Sequence, residues 1–458
     1  MKDESTLTDL LDKQPIGAYQ ISVIALCFAI MVIDGYDLFI IGMVIPKIAA
    51  DFGVKPASIT PVLALQSLGL ALGTALIGIM SDRHGRKKAL LVSVFGFAVF
   101  TLFSVLARDL YTFAFLRLVT GFFLAGVIPN AIALANEIAP MRLRQGFVGV
   151  VFSGFAVGAT VASLVNGHIL ANHSWQTAFV TAAVAGFAVL PLIFFVLPES
   201  TRFLLQHAWG REQAIRQLRR MLPGIEVDPA TLVLDGKQPP RSSVRNLFSE
   251  GRRNATLLMW LTFALSFIAL SGFAALGAVV LNLTAGFSLQ VVGTLMAAFS
   301  LGGLVGSGLS GFVLDRFGPR IGLWFWYGAC TASWLTLGLT VGTGMGIGMI
   351  ATMAFAGAAM TGAQSALNSY VPTVYPTKVR ATGVGWAFGI GRMFSIASPL
   401  LFSGFVAAPG KQGLFFLSLA VPTLLVMICV PFLTRPPPQS EGYEAQRRTL
   451  RGRPPVAH

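Results

Sequence analysis

Several charged side chains interrupt long apolar runs of the sequence, and the first two, Asp34 and Asp37, lie near the middle of the first run. A charge at the centre of a bilayer costs roughly 2.5 to 3.5 kcal/mol or more, so a pair of them indicates a function. The two are three positions apart and share one face of a helix, which must look into a protein interior or a wet cavity. Neighbouring carboxylates repel each other when both are charged, so at least one is expected to take up and release a proton. The pair predicts a proton-coupling site in a transporter.

Arg117 lies in another apolar run, ahead of Gly121 and Gly126. An arginine stays charged in a protein, so at this depth it needs a carboxylate partner or a substrate anion. The alternative is that its long side chain reaches a membrane surface. The first interpretation groups Arg117 with Asp34 and Asp37.

Arg392 lies near the centre of a late apolar run, where reaching the surface is hardest. Its fork of donors fits a carboxylate bidentately. Phe388 is one helical turn earlier on the same face, where it could stack an aromatic ring. We expect Arg392 to hold a substrate carboxylate, and the alternative is a permanent pair with an aspartate of the first run.

Gln364 and Asn368 are uncharged polar residues on one face of the tenth apolar run. Such groups at mid-depth suit a substrate hydroxyl. A hydrogen bond between two helices explains them equally well.

The elements that position these residues follow from composition. The chain has 458 residues, of which 55% are hydrophobic and 11% charged, with a mean hydropathy of +0.73. Soluble domains carry roughly 25% charged residues, so this is an integral membrane protein. Twelve apolar runs have the length of a spanning helix, and none alternates as barrel strands do. The runs are 18–46, 57–80, 88–107, 110–138, 145–171, 175–197, 255–283, 289–314, 321–341, 344–370, 379–407 and 412–433.

The net charge of +14 raises the question of nucleic acid, but the positive residues are not distributed as a nucleic-acid surface. Nearly all Lys and Arg outside the runs fall in alternate connections, and only Lys47, Lys55, Arg108 and Lys411 fall in the other set. This asymmetry is the positive-inside rule, which places both termini in the cytoplasm. Binding of nucleic acid is not expected.

Two loops of the chain are related to each other. The connection 78–88 contains Gly78, Asp82, Arg83, Gly85 and Arg86, and the connection 311–320 repeats it with Asp315, Arg316 and Gly318. A basic inside loop is expected in any case, but Pro140 and Arg144 also recur, at a similar spacing, as Pro376 and Arg380. The sequence therefore predicts a duplication of six spans.

The predicted organisation has five parts. A cytoplasmic segment, 1–17, precedes a six-helix bundle, 18–197, and a second bundle, 255–433, precedes a cytoplasmic tail, 434–458. The linker 198–254 contains a basic amphipathic pattern from Arg211 to Met221, typical of a helix lying against the membrane surface.

The chain resembles the major facilitator superfamily, and its motifs are similar to those of the aromatic acid:proton symporter branch. The resemblance covers nearly the whole chain and rests on the two related loops, on Asp34-Gly35-Tyr36-Asp37, on 129–137, on Pro198-Glu199-Ser200 and on Gly391-Arg392. It implies an all-α membrane protein of twelve transmembrane helices in two pseudo-symmetric six-helix bundles.

The motifs and the resemblance together assign roles to individual residues. Proton coupling is expected of Asp34, Asp37 and Arg117. Glu137 is expected to join an inside charge lock with Arg144 or the Asp82 loop, the alternative being a substrate ligand. Substrate binding is expected of Arg392, Tyr36, Asn130, Gln364, Asn368 and Phe388. Gating is expected of Gly78, Asp82, Arg83, Gly85, Arg86, Glu137, Arg144, Asp315, Arg316, Gly318 and Arg380.

The function that these features predict is import of a small aromatic carboxylate, of the hydroxybenzoate or benzoate kind, together with protons. The alternatives are a proton symporter for another organic anion or a sugar, and a membrane sensor without flux. No nucleotide loop, metal cluster or nucleophile triad is present in the sequence, so an enzyme is not expected. Cys27, Cys330 and Cys429 lack partner spacing and predict free thiols and no metal site. We expect a monomer in the bacterial inner membrane, driven by the proton gradient without a cofactor.

Overall fold

The computed structural model describes residues 5–6, 16–140, 143–221, 232–233, 244–249, 252–342, 346–375, 379–405 and 410–433. This part of the chain is almost entirely helical, and its only strands are β1 (Ser5–Thr6) and β2 (Leu232–Val233), which pair in parallel. The predicted all-α class is confirmed. The predicted tail, 434–458, lies outside the described residues.

Six spans form the first half of the molecule. A 3-10 turn, Pro56–Ile59, precedes the second span, and the fourth span consists of two helices that meet at residues 125–126. The helices are α1 (Ala18–Asp51), α2 (Thr60–His84), α3 (Arg86–Ser104), α4 (Leu110–Leu124), α5 (Val127–Ile138), α6 (Arg144–Asn172) and α7 (Trp175–Phe195).

Short helices follow the first half. They are α8 (Thr201–Leu205), a 3-10 turn (Ala208–Gly210) and α9 (Arg211–Met221), which lies where the amphipathic pattern predicts a helix. A further 3-10 turn, Val244–Leu247, precedes the second half. Its helices are α10 (Arg253–Val279, continued by a π turn, Val280–Thr284), α11 (Leu289–Phe317), α12 (Pro319–Thr340), α13 (Ile347–Val374), α14 (Arg380–Phe402, continued by a 3-10 turn, Ser403–Phe405) and α15 (Gln412–Leu433).

The prediction of twelve transmembrane helices is confirmed. Within the described residues, eleven spans are long and apolar enough to cross a bilayer. The twelfth is α12, which has 22 residues and contains Trp324, Trp326, Tyr327 and Trp334. These amphipathic rings lower its hydropathy without shortening it. Lipid offers no hydrogen-bond partner for an unpaired backbone group, and a helix satisfies its backbone groups within one segment.

The first helix is longer than the sequence predicts. We expected its run to end at Pro46, but α1 continues through Pro46 to Asp51, so that prediction is wrong. A proline removes one helical hydrogen bond without ending a helix that neighbouring helices support. Lys47 therefore lies on α1, where its ammonium donates to the carbonyl of His173 at 2.7 Å.

The helix contacts repeat between the two halves. Within the first half α1 packs on α6, α2 on α4 and α3 on α7; within the second, α10 packs on α14, α11 on α13 and α12 on α15. Across the halves, α2 contacts α14 and α6 contacts α11. The duplication relates α2 to α11 and α6 to α14, so these two contacts are equivalent. The two pseudo-symmetric bundles predicted from the repeated motifs are confirmed, whereas the exact domain boundaries stay predictions.

We call the end of the molecule that carries the two related loops the motif end. The two bundles meet most closely at the opposite end. At the opposite end, a Cβ on Gly42 would lie 3.1 Å from the carbonyl oxygen of Ala275, and one on Gly293 would lie 2.5 Å from that of Ser163. Toward the motif end there is room beside α2, α6, α11 and α14, the helices that contact each other across the halves. A Cβ would meet no described atom within 4 Å at Gly78, Gly149, Gly308 and Gly385.

Candidate functional site

Asp37 and Arg117 form an ion pair inside the first bundle. Arg117 Nη1 donates to Asp37 Oδ1 at 3.2 Å, and both side chains are fully buried. Gln66 Nε2 donates to the second carboxylate oxygen at 3.1 Å. Because the arginine is sealed inside the protein, the alternative in which it reaches a membrane surface is wrong.

A ring of hydroxyl groups holds the other side of the guanidinium. Arg117 Nη2 donates to the hydroxyls of Ser104 and Thr120 at 3.0 Å and of Thr101 at 3.3 Å. The guanidinium carbon also lies 4.7 Å from the centre of the Phe179 ring, a cation–π distance. Arg117 is thus fixed by contacts from α3, α4 and α7 as well as by Asp37.

Asp34 has different surroundings from Asp37, one turn away on the same helix. Its side chain is only 4% exposed, yet no described residue donates a hydrogen bond to it. The charged group opposite is Arg392 of α14, which is close enough to interact with it electrostatically. Arg392 is half-buried and donates to the Thr74 hydroxyl of α2 at 3.1 Å. Within the described residues Arg392 forms no salt bridge, so the alternative of a permanent pair with an aspartate of α1 is not the arrangement found in this conformation.

Aromatic rings lie next to Arg392. The Phe388 ring, one turn before Arg392, is 5.1 Å from the Phe263 ring and 6.5 Å from the Phe267 ring. A Cβ on Gly391 would lie 2.7 Å from the Phe267 ring, so this ring covers the glycine beside the arginine. Phe263 is fully buried, so the aromatic wall beside Arg392 is formed by the half-buried rings of Phe267 and Phe388.

Gln364 and Asn368 are joined to each other and to α10. Gln364 Oε1 accepts from the Ser266 hydroxyl at 2.7 Å, and its Nε2 donates to Asn368 Oδ1 at 2.9 Å. The Tyr327 hydroxyl of α12 donates to Ser266 at 2.8 Å. The interhelical hydrogen bond that we considered from the sequence is present, and it leaves the Asn368 Nδ2 group for another partner.

Two other predicted substrate residues are engaged inside the first bundle. The Tyr36 hydroxyl donates to Asn166 Oδ1 at 3.2 Å, which ties α1 to α6. Asn130 accepts from the Ser81 hydroxyl and donates to the Gly126 carbonyl at 2.7 Å, so it lies beside the first motif loop. The structure does not bring Asn130 into contact with Arg392 or Phe388.

The first motif loop is fastened by two glutamates. Glu137 of α5 pairs with Arg86, and its other oxygen accepts from the Ser200 hydroxyl at 2.6 Å. Glu199 accepts from the backbone N–H groups of Arg86 at 2.7 Å and Lys87 at 3.0 Å, which is anion capping of the α3 N-terminus. Gly85 makes room for that carboxylate and has a φ of 97°.

Among the described residues, no glutamate caps the helix after the second motif loop as Glu199 caps α3. Gly318 repeats the positive φ, at 84°, but a Cβ there would meet no described atom within 4 Å. Asp315 and Arg316 are exposed, and Arg380 donates to the Tyr375 carbonyl at 3.4 Å. In the first half, Gly78, Asp82 and Arg83 lie in the last turns of α2, and Asp82 and Arg83 are exposed. The Arg144 side chain lies outside the described part of the structure.

Sequence reasoning missed the partners of the charged groups. Ser and Thr are common in helices and usually bond to their own helix, as Ser104 does to the Phe100 carbonyl and Thr120 to that of Leu116. The available signals were Gln66 and Asn166, which are amides in apolar runs, and the motif that contains Glu199. The missed residues are Gln66, Thr74, Thr101, Ser104, Thr120, Asn166, Phe179, Glu199, Ser266 and Tyr327.

Comparison with protein families gives a match over most of the chain. Residues 27–387 and 259–457 match the Major Facilitator Superfamily.

Individual relatives are between 27% and 32% identical to this chain. A gallate transporter of Pseudomonas putida is 32% identical over 426 residues, which cover 92% of this chain and 93% of the relative. The 4-hydroxybenzoate transporter PcaK of Pseudomonas aeruginosa is 32% identical, with 84% of this chain and 86% of the relative covered. The benzoate transport protein of Acinetobacter baylyi is 27% identical, with 94% and 93% covered.

Solved structures share the fold. The inward open conformation of the xylose transporter XylE from E. coli superposes with a TM-score of 0.74 at 16% identity, covering 94% of this chain and 99% of that chain.

Proposed function

The chain belongs to the Major Facilitator Superfamily, and from this membership we propose that it imports a small aromatic carboxylate together with protons. It is a multi-pass membrane protein of a transporter family and not an enzyme. The proposal of an aromatic acid is supported by the relatives, named as transporters of gallate, 4-hydroxybenzoate and benzoate.

The observation that carries the proposal is the position of Arg392 between an acid and an aromatic wall. Asp34 and a substrate carboxylate are two anions for one guanidinium. A proton on Asp34 removes one of them and leaves Arg392 for the substrate, with the ring against Phe388. Loss of the proton restores the Asp34 charge, which competes with the substrate for Arg392. Proton binding and substrate binding are thus linked through one cation.

The Asp37–Arg117 pair has a second role in this proposal. The pair forms without any ligand and joins α1, α3, α4 and α7 around the site, although the buried Arg117 Nε has no hydrogen-bond partner among the described residues. A proton on Asp37 would leave Arg117 with a buried charge and only neutral partners, which is a costly state. We therefore assign proton exchange with the substrate path to Asp34, and assign to Asp37 the control of the bundle's packing.

Coupling to protons has an electrical purpose. Moving one negative charge inward against an inside-negative potential costs about 2.3 kcal/mol per 100 mV. One co-transported proton removes that cost, and a second makes the membrane potential favour entry. A uniporter with the same binding site would not accumulate the anion.

We assign the orientation of the chain in the membrane from its charge distribution. The positive-inside rule supports a cytoplasmic motif end, with both termini on that side of the bacterial inner membrane. The bundles would then open toward the cytoplasm in this conformation. In alternating access they rock, and the Arg86–Glu137 lock with its Glu199 cap keeps the first bundle rigid during that motion.

Uptake into proteoliposomes tests the proposal. Vesicles with an imposed inward proton gradient should accumulate radiolabelled benzoate and 4-hydroxybenzoate, and collapse of the gradient with a protonophore should abolish accumulation. Asp34→Asn should abolish proton-driven accumulation while retaining exchange of internal for external substrate, because the amide no longer competes for Arg392. Arg392→Gln should lose both.

The matched control is Asp51→Asn, on the same helix but at the end opposite the motif loops. Asp51 accepts from the Trp175 indole at 2.9 Å, and an amide oxygen can still accept that bond. This variant should transport as the wild type does. Gradient-driven accumulation by Asp34→Asn at the wild-type level would refute the coupling role, and uptake of a sugar in place of the acids would refute the substrate class.

A further inference from the structure

A directional chain of hydrogen bonds runs through the second bundle and ends at Asn368. The Tyr327 hydroxyl donates to Ser266, the Ser266 hydroxyl donates to Gln364 Oε1, and Gln364 Nε2 donates to Asn368 Oδ1. Each donor thus points to the next residue. The Asn368 amide nitrogen is the last donor of the chain.

That last donor is accessible, unlike the first members of the chain. Tyr327 and Ser266 are fully buried and Gln364 is 9% exposed, whereas Asn368 is half-buried. No described group accepts from Asn368 Nδ2, and this nitrogen is not among the polar atoms sealed without a partner. An open amide donor at the end of a satisfied buried chain is a binding group for an oxygen acceptor.

The chain and the aromatic wall meet on one face of α10. Phe263, Ser266 and Phe267 are three and four positions apart, so they lie on the same side of that helix. Ser266 contacts Gln364 of α13, while the two phenylalanines contact Phe388 of α14. A ring against Phe388 would therefore lie close to Arg392 on the same helix and next to the face of α10 that contacts the α13 amides.

We propose that Asn368 determines specificity for oxygen substituents on the substrate ring: its Nδ2 donates to a ring oxygen while Arg392 holds the carboxylate. The inference rests on the proposed function and specifies its substrate class as hydroxylated or methoxylated aromatic acids in preference to the unsubstituted acid. Both a phenol and a methyl ether offer an acceptor oxygen, so the wild-type donor binds both.

Competition against uptake of radiolabelled benzoate tests the inference. In the wild type, unlabelled 4-hydroxybenzoate and 4-methoxybenzoate should each compete at a concentration about 2- to 10-fold lower than unlabelled benzoate does, the range of one net hydrogen bond. Asn368→Leu should bring all three acids to the same concentration, because the donor to the ring oxygen is then absent.

Asn368→Asp separates hydrogen bonding from shape. A carboxylate accepts from a phenol but cannot donate to an ether, so this variant should keep the preference for 4-hydroxybenzoate and lose that for 4-methoxybenzoate. The matched control is Ser365→Ala, on the same helix but bonded at 2.8 Å to Ser310 of α11. It should leave all three values unchanged.

Two results would overturn the inference while leaving the proposed function intact. One is an Asn368→Leu protein that imports benzoate and still prefers the oxygenated acids. The other is loss of benzoate uptake itself in that variant, which would make Asn368 a structural residue. A wild-type protein that imports none of the three acids would refute the proposed function and this inference with it.

Discussion

Replacement of Asp37 by asparagine should destabilise the folded protein strongly, and replacement of Asp34 should not. Arg117 is fully buried, and Asp37 is the only carboxylate paired with it in the described structure. The new amide keeps the shape of the side chain, its oxygen can still accept from Arg117, and Gln66 can turn its oxygen toward the new nitrogen. The hydrogen bonds can therefore survive, and what is lost is the neutralisation of a buried charge.

The magnitude follows from that accounting. Removing one partner of a buried ion pair costs about 3 to 5 kcal/mol, and because the hydrogen bonds are kept we expect a loss of about 3 kcal/mol. Asp34 has no hydrogen bond or salt bridge to lose within the described residues, so Asp34→Asn should change the free energy of unfolding by much less than Asp37→Asn does. Asp37→Asn combined with Arg117→Met should recover most of the loss, because both charges are then gone.

Equilibrium unfolding of the purified proteins in mixed detergent micelles, followed by far-UV circular dichroism, measures these differences. Asp34→Asn is the matched control, since it makes the same chemical change on the same helix. Equal midpoints for Asp37→Asn and the wild type would refute the assignment of the ion pair. So would a double variant less stable than Asp37→Asn alone.

Two further predictions concern packing and pH. A Cβ on Gly158 of α6 would lie 2.0 Å from the Val32 carbonyl oxygen of α1. Gly158→Ala should therefore lower the free energy of unfolding by about 1 to 3 kcal/mol in the same assay. Gly149→Ala, on the same helix with room for a methyl group, should not lower it. Asp109 caps α4 by accepting from the Thr112 N–H at 2.9 Å, which lowers the pKa of Asp109. A carboxyl with a lowered pKa stabilises the fold above its unfolded pKa and loses that contribution as pH falls through the folded value; Asp109→Asn should therefore reduce the acid dependence of the unfolding midpoint, and an unchanged acid dependence would contradict the cap.

The sequence predicts the helices of this fold better than their ends. Length and hydropathy locate every span, because a lipid-facing backbone has no other stable form. The predicted end of α1 at Pro46 was wrong, because a proline indicates only a local change of the backbone. The helix continues to Asp51 because it packs against other helices, which the local sequence does not show. The break of the fourth span at Gly126 was not predicted either: a Cβ there would lie 2.2 Å from the Ser93 hydroxyl, a contact made by a distant part of the chain.

The sequence identified the charged residues of the site but not their pairing. The free-energy cost of a charge within a membrane span is enough to identify Asp34, Asp37, Arg117 and Arg392. Which acid meets which arginine depends on the rotation of α1 relative to α4 and α14, and neighbours in sequence carry no information on that. The hydroxyl partners of Arg117 were invisible for a different reason: a threonine that serves a guanidinium looks the same in sequence as one that bonds to its own helix.

The close contact between α6 and α11 at Gly293 has a consequence for the energetics of switching. Where backbones touch through glycine, no side chains interlock, so the two surfaces can separate without any side chain changing its rotamer. A carrier that must visit two shapes many times a second needs them close in free energy. Glycine-lined surfaces at the closed end let the unloaded protein change between its inward-open and outward-open conformations at a small cost in free energy. Bulky interdigitated side chains there would hold it in one conformation.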